Sequence, residues 1–457
     1  MKVIKIGGGC FKDEQAACHI VDLIEERGGG NIFVLSAFSG VTDLIVSGID
    51  TALSSEDGIF PLIEELSARH QAFAENLIKT GPELEKLKTE LSDTLKKIER
   101  FYFGINFTRE ATPRMQDILA SFGERLSASI VTASLQSRGK KAACIYPHKS
   151  GLITDGKYSD ATARIKKTAE NLKPVVEPLV SRNEIIFIPG FYGISESGEI
   201  TTFGRGGSDY SAAAVAAAVE AEILEIWKDT EGFMTADPDN IDNPKLIPRL
   251  NYMEAAELAY TGAGILHPRT VEPVRKSKID IAIKNTYNPD AKGSLITRSG
   301  GKTESVIKSV SYTRDIAVLK IHASGIGARP GILSTITESL SNKNINIKSV
   351  LTSQTCISLL VSKKDIDISQ AEIQKIKPRP YRRTEKNRNV ALVSIVGEGL
   401  HHRKGIAAKC FTAVSDVHVN IEMISFGSSN AALYFLVDGE DLDKTIKALH
   451  SIFFETD

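Results

Sequence analysis

Long apolar runs are missing from this sequence of 457 residues. No stretch offers the ~20 consecutive apolar residues of a bilayer-spanning helix, so no passage through a membrane is expected. A leader is missing too: the chain passes straight into a strand-like Val3-Ile4-Lys5-Ile6, and a cytoplasmic protein is expected. Cysteines are few and odd in number (Cys10, Cys18, Cys144, Cys356, Cys410), scattered and without a CxxC pair. That argues against a disulfide framework or a zinc site and for free thiols. Histidines such as His267 and the His401-His402 pair lack metal-ligand spacing, so no side-chain metal site is expected; His267, before Pro268, reads as a buried hydrogen-bonding residue. No Ser/His/Asp triad is present. Aromatic residues make up only 7% of the chain, with Trp227 the sole tryptophan. A charge surplus is also lacking, with 56 Lys and Arg against 57 Asp and Glu, which leaves no global field for nucleic acid or a membrane surface.

What is present is a strand–helix–strand rhythm, long enough for two to four domains. A strand over residues 3–6 ends in Gly7-Gly8-Gly9. A helix over 13–27 gathers Ala17, Ile20, Val21, Leu23 and Ile24 on one face, and a second strand follows over 31–36. This is the pattern of a mostly parallel sheet covered on both sides. Residues 60–100 read as long helices broken at Gly81-Pro82 and packed over one sheet edge, either a lid or dimer contact or plain scaffold. A single helix is expected over 116–135 and a strand over 185–188. The stretch from Thr202 to Tyr210, Gly-rich and carrying Arg205 and Asp209, opens an Ala-rich helix that leads to a strand ending at Lys228-Asp229. A short helix is expected over 252–260 and a strand over 279–284. A polar boundary falls at 297–305. Beyond it, two βαββ patterns repeat (strands at 316–321, 345–352 and 356–361, then at 390–396, 419–425 and 431–437), joined by a basic connector over 375–388 that reads as a solvated linker.

Several residues carry chemistry. The backbone of Gly7, Gly8 and Gly9 can cradle phosphate oxygens, and Lys5 just before them can neutralise phosphate charge. Asp209 sits near a helix start, a capping position with a spare carboxylate. Arg205 offers a fork for a carboxylate or phosphate, or is simply solvated. Glu124 and Arg205 together suit the ammonium and carboxylate of an amino acid, though Glu124 taken alone reads rather as an exposed helix charge. Ser36 and Thr42 flank the second strand's carboxyl end, where Thr42-Asp43 can also serve as a helix cap. Asp229 ends a strand where open α/β sheets place ligands.

Taken together, these residues resemble one family from end to end. Lys5-Ile6-Gly7-Gly8, the segment 35–42, Ser121 to Ala128, Thr202 to Tyr210 with its Gly-Arg-Gly-Gly-Ser-Asp loop, Leu266-His267-Pro268 and Asn285 to Pro289 are similar to aspartate kinase motifs. The C-terminal part resembles tandem ACT modules at Thr352 to Ser358, Ile395 to Gly399 and Asn420 to Ser425. The resemblance implies a three-layer αβα amino-acid-kinase sandwich over residues 1–298 and two ferredoxin-like α+β ACT domains over 306–385 and 389–457. It implies ATP and Mg²⁺, transfer to the β-carboxylate of L-aspartate, and 4-phospho-L-aspartate as product. Lys5 would hold phosphate and Asp209 orient it. Arg205 and Glu124 would grip the amino acid, with Ser36, Thr42 and Ser208 nearby. Gly7, Gly8, Gly9, Lys228, Asp229, Met234 and Gly264 would line the nucleotide. A monofunctional homodimer or larger assembly through the ACT modules is implied. The sequence departs from the family at Gly9-Cys10, Lys228, Met234, Asp239 and Gly264, all on the nucleotide side. Lys348 stands where lysine-inhibited relatives carry an acid, so feedback by lysine is expected to be weak or absent; threonine, expected in preference to lysine, or no effector remains open. A same-fold kinase of another acid, and an inactive amino-acid sensor, are the alternatives; the Arg205, Asp209 and Glu124 set favours the first reading.

Overall fold

Strand β1 (Val3–Ile6) is buried along its whole length, as expected of a strand covered on both faces. Alternation sends Ile4 and Ile6 into one apolar core with Ile20, Val21 and Ile24 of helix α1 (Glu14–Arg27), and sends Val3 and Lys5 to the opposite face. The computed structural model describes every residue except 263, 302–305, 324–325, 327–329 and 456–457. The chain divides into two units: Met1–Phe233, Leu246–Ala259 and Gly264–Lys302 form the first, and Met234–Lys245, Tyr260–Ala263 and Thr303–Asp457 the second.

The first unit is built on an eight-stranded sheet. Around β1 lie β2 (Ile32–Leu35), β3 (Ala142–Cys144), β4 (Ile185–Pro189), β7 (Ile223–Lys228), β8 (Arg249–Asn251), β9 (Asp280–Asn285) and β10 (Ser294–Thr297); a separate hairpin is formed by β5 (Tyr192–Ile194) and β6 (Ile200–Thr202). Their order is β3-β4-β2-β1-β7-β9-β10-β8, parallel throughout except that β10 runs antiparallel to β9. The sequence reading places no strand at β10, which ends where the polar boundary at 297–305 begins.

Helices α2 (Val41–Ser54), α3 (Ile59–Leu77), α4 (Pro82–Thr108), α5 (Pro113–Ala120) and α6 (Phe122–Ser137) cover the Ile4/Ile6 face. Leu62, Leu66, Phe73, Leu87, Leu91 and Ile98 all enter that core, and Tyr102 donates to the Ile45 carbonyl at 2.7 Å. Burial of the apolar stripe accounts for its spacing as scaffold. The helix expected as one over 116–135 is two. Thr112 caps α5 through the Met115 N–H, and the Ser121 hydroxyl donates back to the Ile118 carbonyl at the break. Helix α7 (Pro147–Ser150) is one turn. Helix α8 (Ile165–Ser181), of which the sequence reading recognises only the end from Val175, contains Pro174 and Pro178; both lie on its exposed side, where water serves the carbonyls that lose a donor. With α9 (Gly207–Val219) and α11 (Val271–Ser277) it forms the layer on the Lys5 face, and α10 (Tyr252–Tyr260) follows β8.

The second unit carries two four-stranded antiparallel sheets. One is β13 (Ser349–Thr352), β14 (Cys356–Val361), β12 (Ala317–His322) and β15 (Arg383–Asn387); the other is β11 (Ser309–Thr313), β16 (Val390–Val396), β18 (Ala432–Asp438) and β17 (Met423–Phe426). Helices α12 (Ile332–Ser341) and α13 (Ile366–Gln374) complete the first module, α14 (Ile406–Asp416) and α15 (Leu442–His450) the second. The basic connector is not a bare linker: within it β15 pairs with β12 as a charged edge strand. Strand β11 precedes the first module in sequence yet pairs with β16 of the second.

Candidate active site

Four segments converge on a cleft of about 360 Å³: the turn after β1, the loop after β2, the start of α6 and the loop leading into α9. Lys5, Gly8, Gly9, Ser36, Thr42, Glu124, Arg205, Ser208 and Asp209 all line it.

The first contact follows from the pleat. Lys5 faces α9, and its Nζ meets Asp209 Oδ1 at 2.5 Å, both side chains buried. Burial alone would raise the Asp209 carboxyl, but the charges of Lys5 and Lys228 outweigh it and hold the carboxyl below its ordinary value. Asp209 does not cap α9. Gly206 occupies the N-cap with φ 70°, and no side chain caps the helix; a Cβ at Gly206 would lie 2.3 Å from the His267 ring. Thr42 and Asp43 likewise leave the cap of α2 to Gly40.

Glu124 is the second feature, and it is not an exposed helix charge. Gly123 makes its position possible, because a Cβ there would sit 2.9 Å from Ala37 Cβ and force α6 away from the end of β2. Glu124 is only 3% exposed. Its Oε1 accepts from the Ser208 hydroxyl at 3.2 Å, while its Oε2 has no hydrogen-bond partner among the described residues. Burial pushes the carboxyl up to about 7, against the opposing pull of the Glu124 and Ala37 amides, Ser208 and Lys5. A buried, half-satisfied carboxylate is unfavourable unless a cation reaches it. Across the cleft Arg205 is exposed and has no ion-pair partner among the described residues. The loop after β2 is fixed by the Ser127 hydroxyl, which donates to the Ser36 carbonyl at 2.8 Å. Phe191, also lining the cleft, holds φ at 72°, a left-handed backbone in a bulky residue.

Beyond Lys5 the groups change character. The Gly7 N–H is not available to a ligand, since it donates to the Trp227 carbonyl at 3.2 Å. The cradle therefore reduces to the Gly8 and Gly9 amides, which open a one-turn helix whose first N–H groups need outside acceptors. A Cβ on Gly9 would be 3.8 Å from Asp229 Oδ2, so Asp229 borders this turn. Lys228 donates from Nζ to the Gly264 carbonyl at 2.9 Å. Met234 belongs to the second unit, where its carbonyl accepts from the Ser309 hydroxyl at 2.9 Å.

Two positioning residues escaped the sequence reading. Asp117, buried in α5, accepts from the Ser159 and Thr202 amides at 2.9 and 2.8 Å and from both hydroxyls, pinning the base of the Arg205 loop. Arg269 donates to the Phe203 carbonyl at 2.9 Å and stacks on Tyr210. No period or motif marks either. Asp117→Ala strands two amides and two hydroxyls, and is expected to destabilise the first unit by about 3 kcal/mol, read from its denaturant midpoint.

A model described as the amino acid kinase family matches residues 1–285, and two described as ACT domains match 311–368 and 393–453. The chain is 30% identical to Aspartokinase 2, chloroplastic, of Arabidopsis thaliana, over 100% of its own length and 84% of the relative's. It superposes on the crystal structure of E. coli aspartokinase III in complex with aspartate and ADP (R-state) with a TM-score of 0.86 and 26% identity, covering 99% of this chain and 100% of that one. On the lysine and aspartate complex of the same E. coli protein (T-state) the TM-score is 0.80 at 28% identity, covering 99% of each chain.

Proposed function

We infer, from the premise that the chain belongs to the amino acid kinase family and within it to the aspartokinases, that its cleft phosphorylates the β-carboxylate of L-aspartate at the expense of ATP. The single observation that carries the substrate is the buried Glu124 carboxylate with one oxygen unpartnered, facing the same cleft as the free Arg205 guanidinium. An α-amino acid presents the matching ammonium and carboxylate. With those two groups held, the side-chain carboxylate is directed toward Lys5 and the Gly8–Gly9 amides.

The reaction needs no general base, because the attacking carboxylate is already ionised. A β-carboxylate oxygen forms a bond to the γ-phosphorus, the bond from that phosphorus to the β,γ-bridging oxygen breaks, and ADP leaves with the electron pair. Catalysis is then positioning and charge stabilisation. Lys5 neutralises charge on the transferring group, and Asp209 orients Lys5. Ser208 steadies Glu124; Ser36 and Thr42 flank the amino acid. Among the described residues no group of three or more His, Cys, Asp or Glu side chains suits a metal ion. A magnesium ion carried on phosphate oxygens needs only one or two protein carboxylates. Asp229 would supply one, and the ion would neutralise phosphate charge.

Trapping of the acyl phosphate with hydroxylamine tests the reading: hydroxamate from aspartate and ATP is expected, and none from glutamate. Product from glutamate in preference would overturn it.

In the second unit the Lys348 ammonium pairs with the Asp315 carboxylate at 3.2 Å. This position offers no free acid to receive the ammonium of lysine, so feedback by lysine is expected to be weak or absent, with threonine or no effector left open. Lysine is expected to leave the rate unchanged and to give no calorimetric isotherm; tight lysine binding would contradict this. The assembly that goes with this reading is a homodimer or larger, formed through the ACT modules.

A further inference from the structure

Strands β1 and β7 are parallel neighbours with Lys5 opposite Ile226. Alternation therefore places Lys228, two residues further along β7, on the same sheet face as Lys5 and at the strand's carboxyl end. The two lysines differ in what they border. Lys5 lines the cleft shared with Glu124 and Arg205, whereas Lys228 is not among its lining residues, and its strand β7 flanks β1 on the side opposite β2. Around Lys228 stand Asp209, Lys5, Asp229 and Cys10. Burial and the Lys5 charge lower the Lys228 ammonium, while Asp209, Asp229 and Cys10 pull the other way.

Two ammonium groups thus flank one buried carboxylate, Asp209, with Asp229 exposed to solvent. The Lys228 ammonium has three hydrogens. One is taken by the Gly264 carbonyl, which holds the half-buried side chain in place. The two remaining donors, at the open carboxyl end of β7, suit an anion with several oxygens.

We propose that Lys228 is a second phosphate-binding residue, which contacts the phosphates that are not transferred and so holds the ADP portion of the nucleotide, while Lys5 acts on the transferring group. The proposal rests on the kinase reading of the cleft. It divides labour between two cations by position: one beside the attacking carboxylate, the other behind it.

The division predicts a split in the kinetics. Lys228→Met is expected to raise the KM for ATP and the inhibition constant of ADP by roughly 10- to 100-fold, the loss of one charge-assisted contact, with kcat changed only a few-fold and the aspartate KM unchanged. Lys228→Arg, which keeps a donor-bearing cation, is expected to recover most of that loss. An unchanged aspartate KM shows that the variant is folded. Unaltered ATP KM and ADP inhibition in Lys228→Met would overturn the proposal, as would a loss confined to kcat. Calorimetric binding of ADP to the wild-type chain and both variants reads the same contact without turnover. If aspartate proves not to be the acceptor, the kinase reading of the amino-acid half fails while the ADP measurement still decides on Lys228.

Discussion

Lys5→Met is expected to lower kcat by about 10³- to 10⁵-fold, the range over which a cation placed on a transferring phosphoryl group acts. The aspartate KM should barely move, because Glu124 and Arg205, not Lys5, hold the amino acid. The substitution has a second consequence: it leaves the Asp209 carboxylate buried without the ammonium that meets it at 2.5 Å. Loss of rate could then reflect a disturbed fold. Two companions separate these effects. Lys5→Met/Asp209→Asn removes both charges and should regain stability without regaining rate. Asp209→Asn alone should lower kcat, and adding it to Lys5→Met should lower kcat no further, because Asp209 works only through Lys5. A double variant with restored activity would contradict the assignment of Lys5.

Glu124→Gln is expected to lower kcat/KM for aspartate by roughly 10²-fold, equivalent to about 3 kcal/mol for an ion pair made in a buried site. The pH dependence carries the same signature. In the empty protein burial raises the Glu124 carboxyl to about 7 from an ordinary 4.5. It is therefore protonated below that point and cannot pair with the substrate ammonium. The kcat/KM for aspartate should rise with pH through about 7 and level off above it, and Glu124→Gln should flatten this limb. Stability moves in the opposite sense. The folded protein holds this proton more tightly than the unfolded chain, so the empty protein loses stability as pH rises from the ordinary carboxyl range through about 7. Glu124→Gln removes that loss, and the empty variant should melt higher than the wild type at pH above this window. A variant that binds aspartate normally would sink the role given to Glu124.

The site was legible where a motif lies on one contiguous stretch. The Gly-Arg-Gly-Gly-Ser-Asp loop and the Lys5 strand end announce themselves, since glycine turns at strand ends are local features. What a sequence does not display is which neighbour takes a group first. The Gly7 amide looks free in sequence but is used by Trp227, and Asp209 looks like a helix cap but turns to Lys5 instead. Glu124 reads as a surface charge on a helix because its burial depends on Ala37, far off in the chain and brought near by Gly123. Asp117 was invisible for the same reason: its partners Ser159 and Thr202 lie tens of residues away. In the fold, apolar periodicity located helices α1, α3 and α4, whereas Pro174 and Pro178 left only the end of α8 legible and charge masked the edge strand β15. Strand β11 pairs across both modules, a choice that no local pattern encodes.

The central claim is that the aspartate β-carboxylate itself attacks phosphorus between the two halves of this cleft. Aspartate labelled with ¹⁸O in its β-carboxylate, turned over with ATP and read by phosphorus NMR, tests it most directly. The expected product is an acyl phosphate whose phosphorus resonance carries the isotope shift of one bridging ¹⁸O. An acyl phosphate without that shift, or ADP formed with inorganic phosphate and no acyl product, would contradict it.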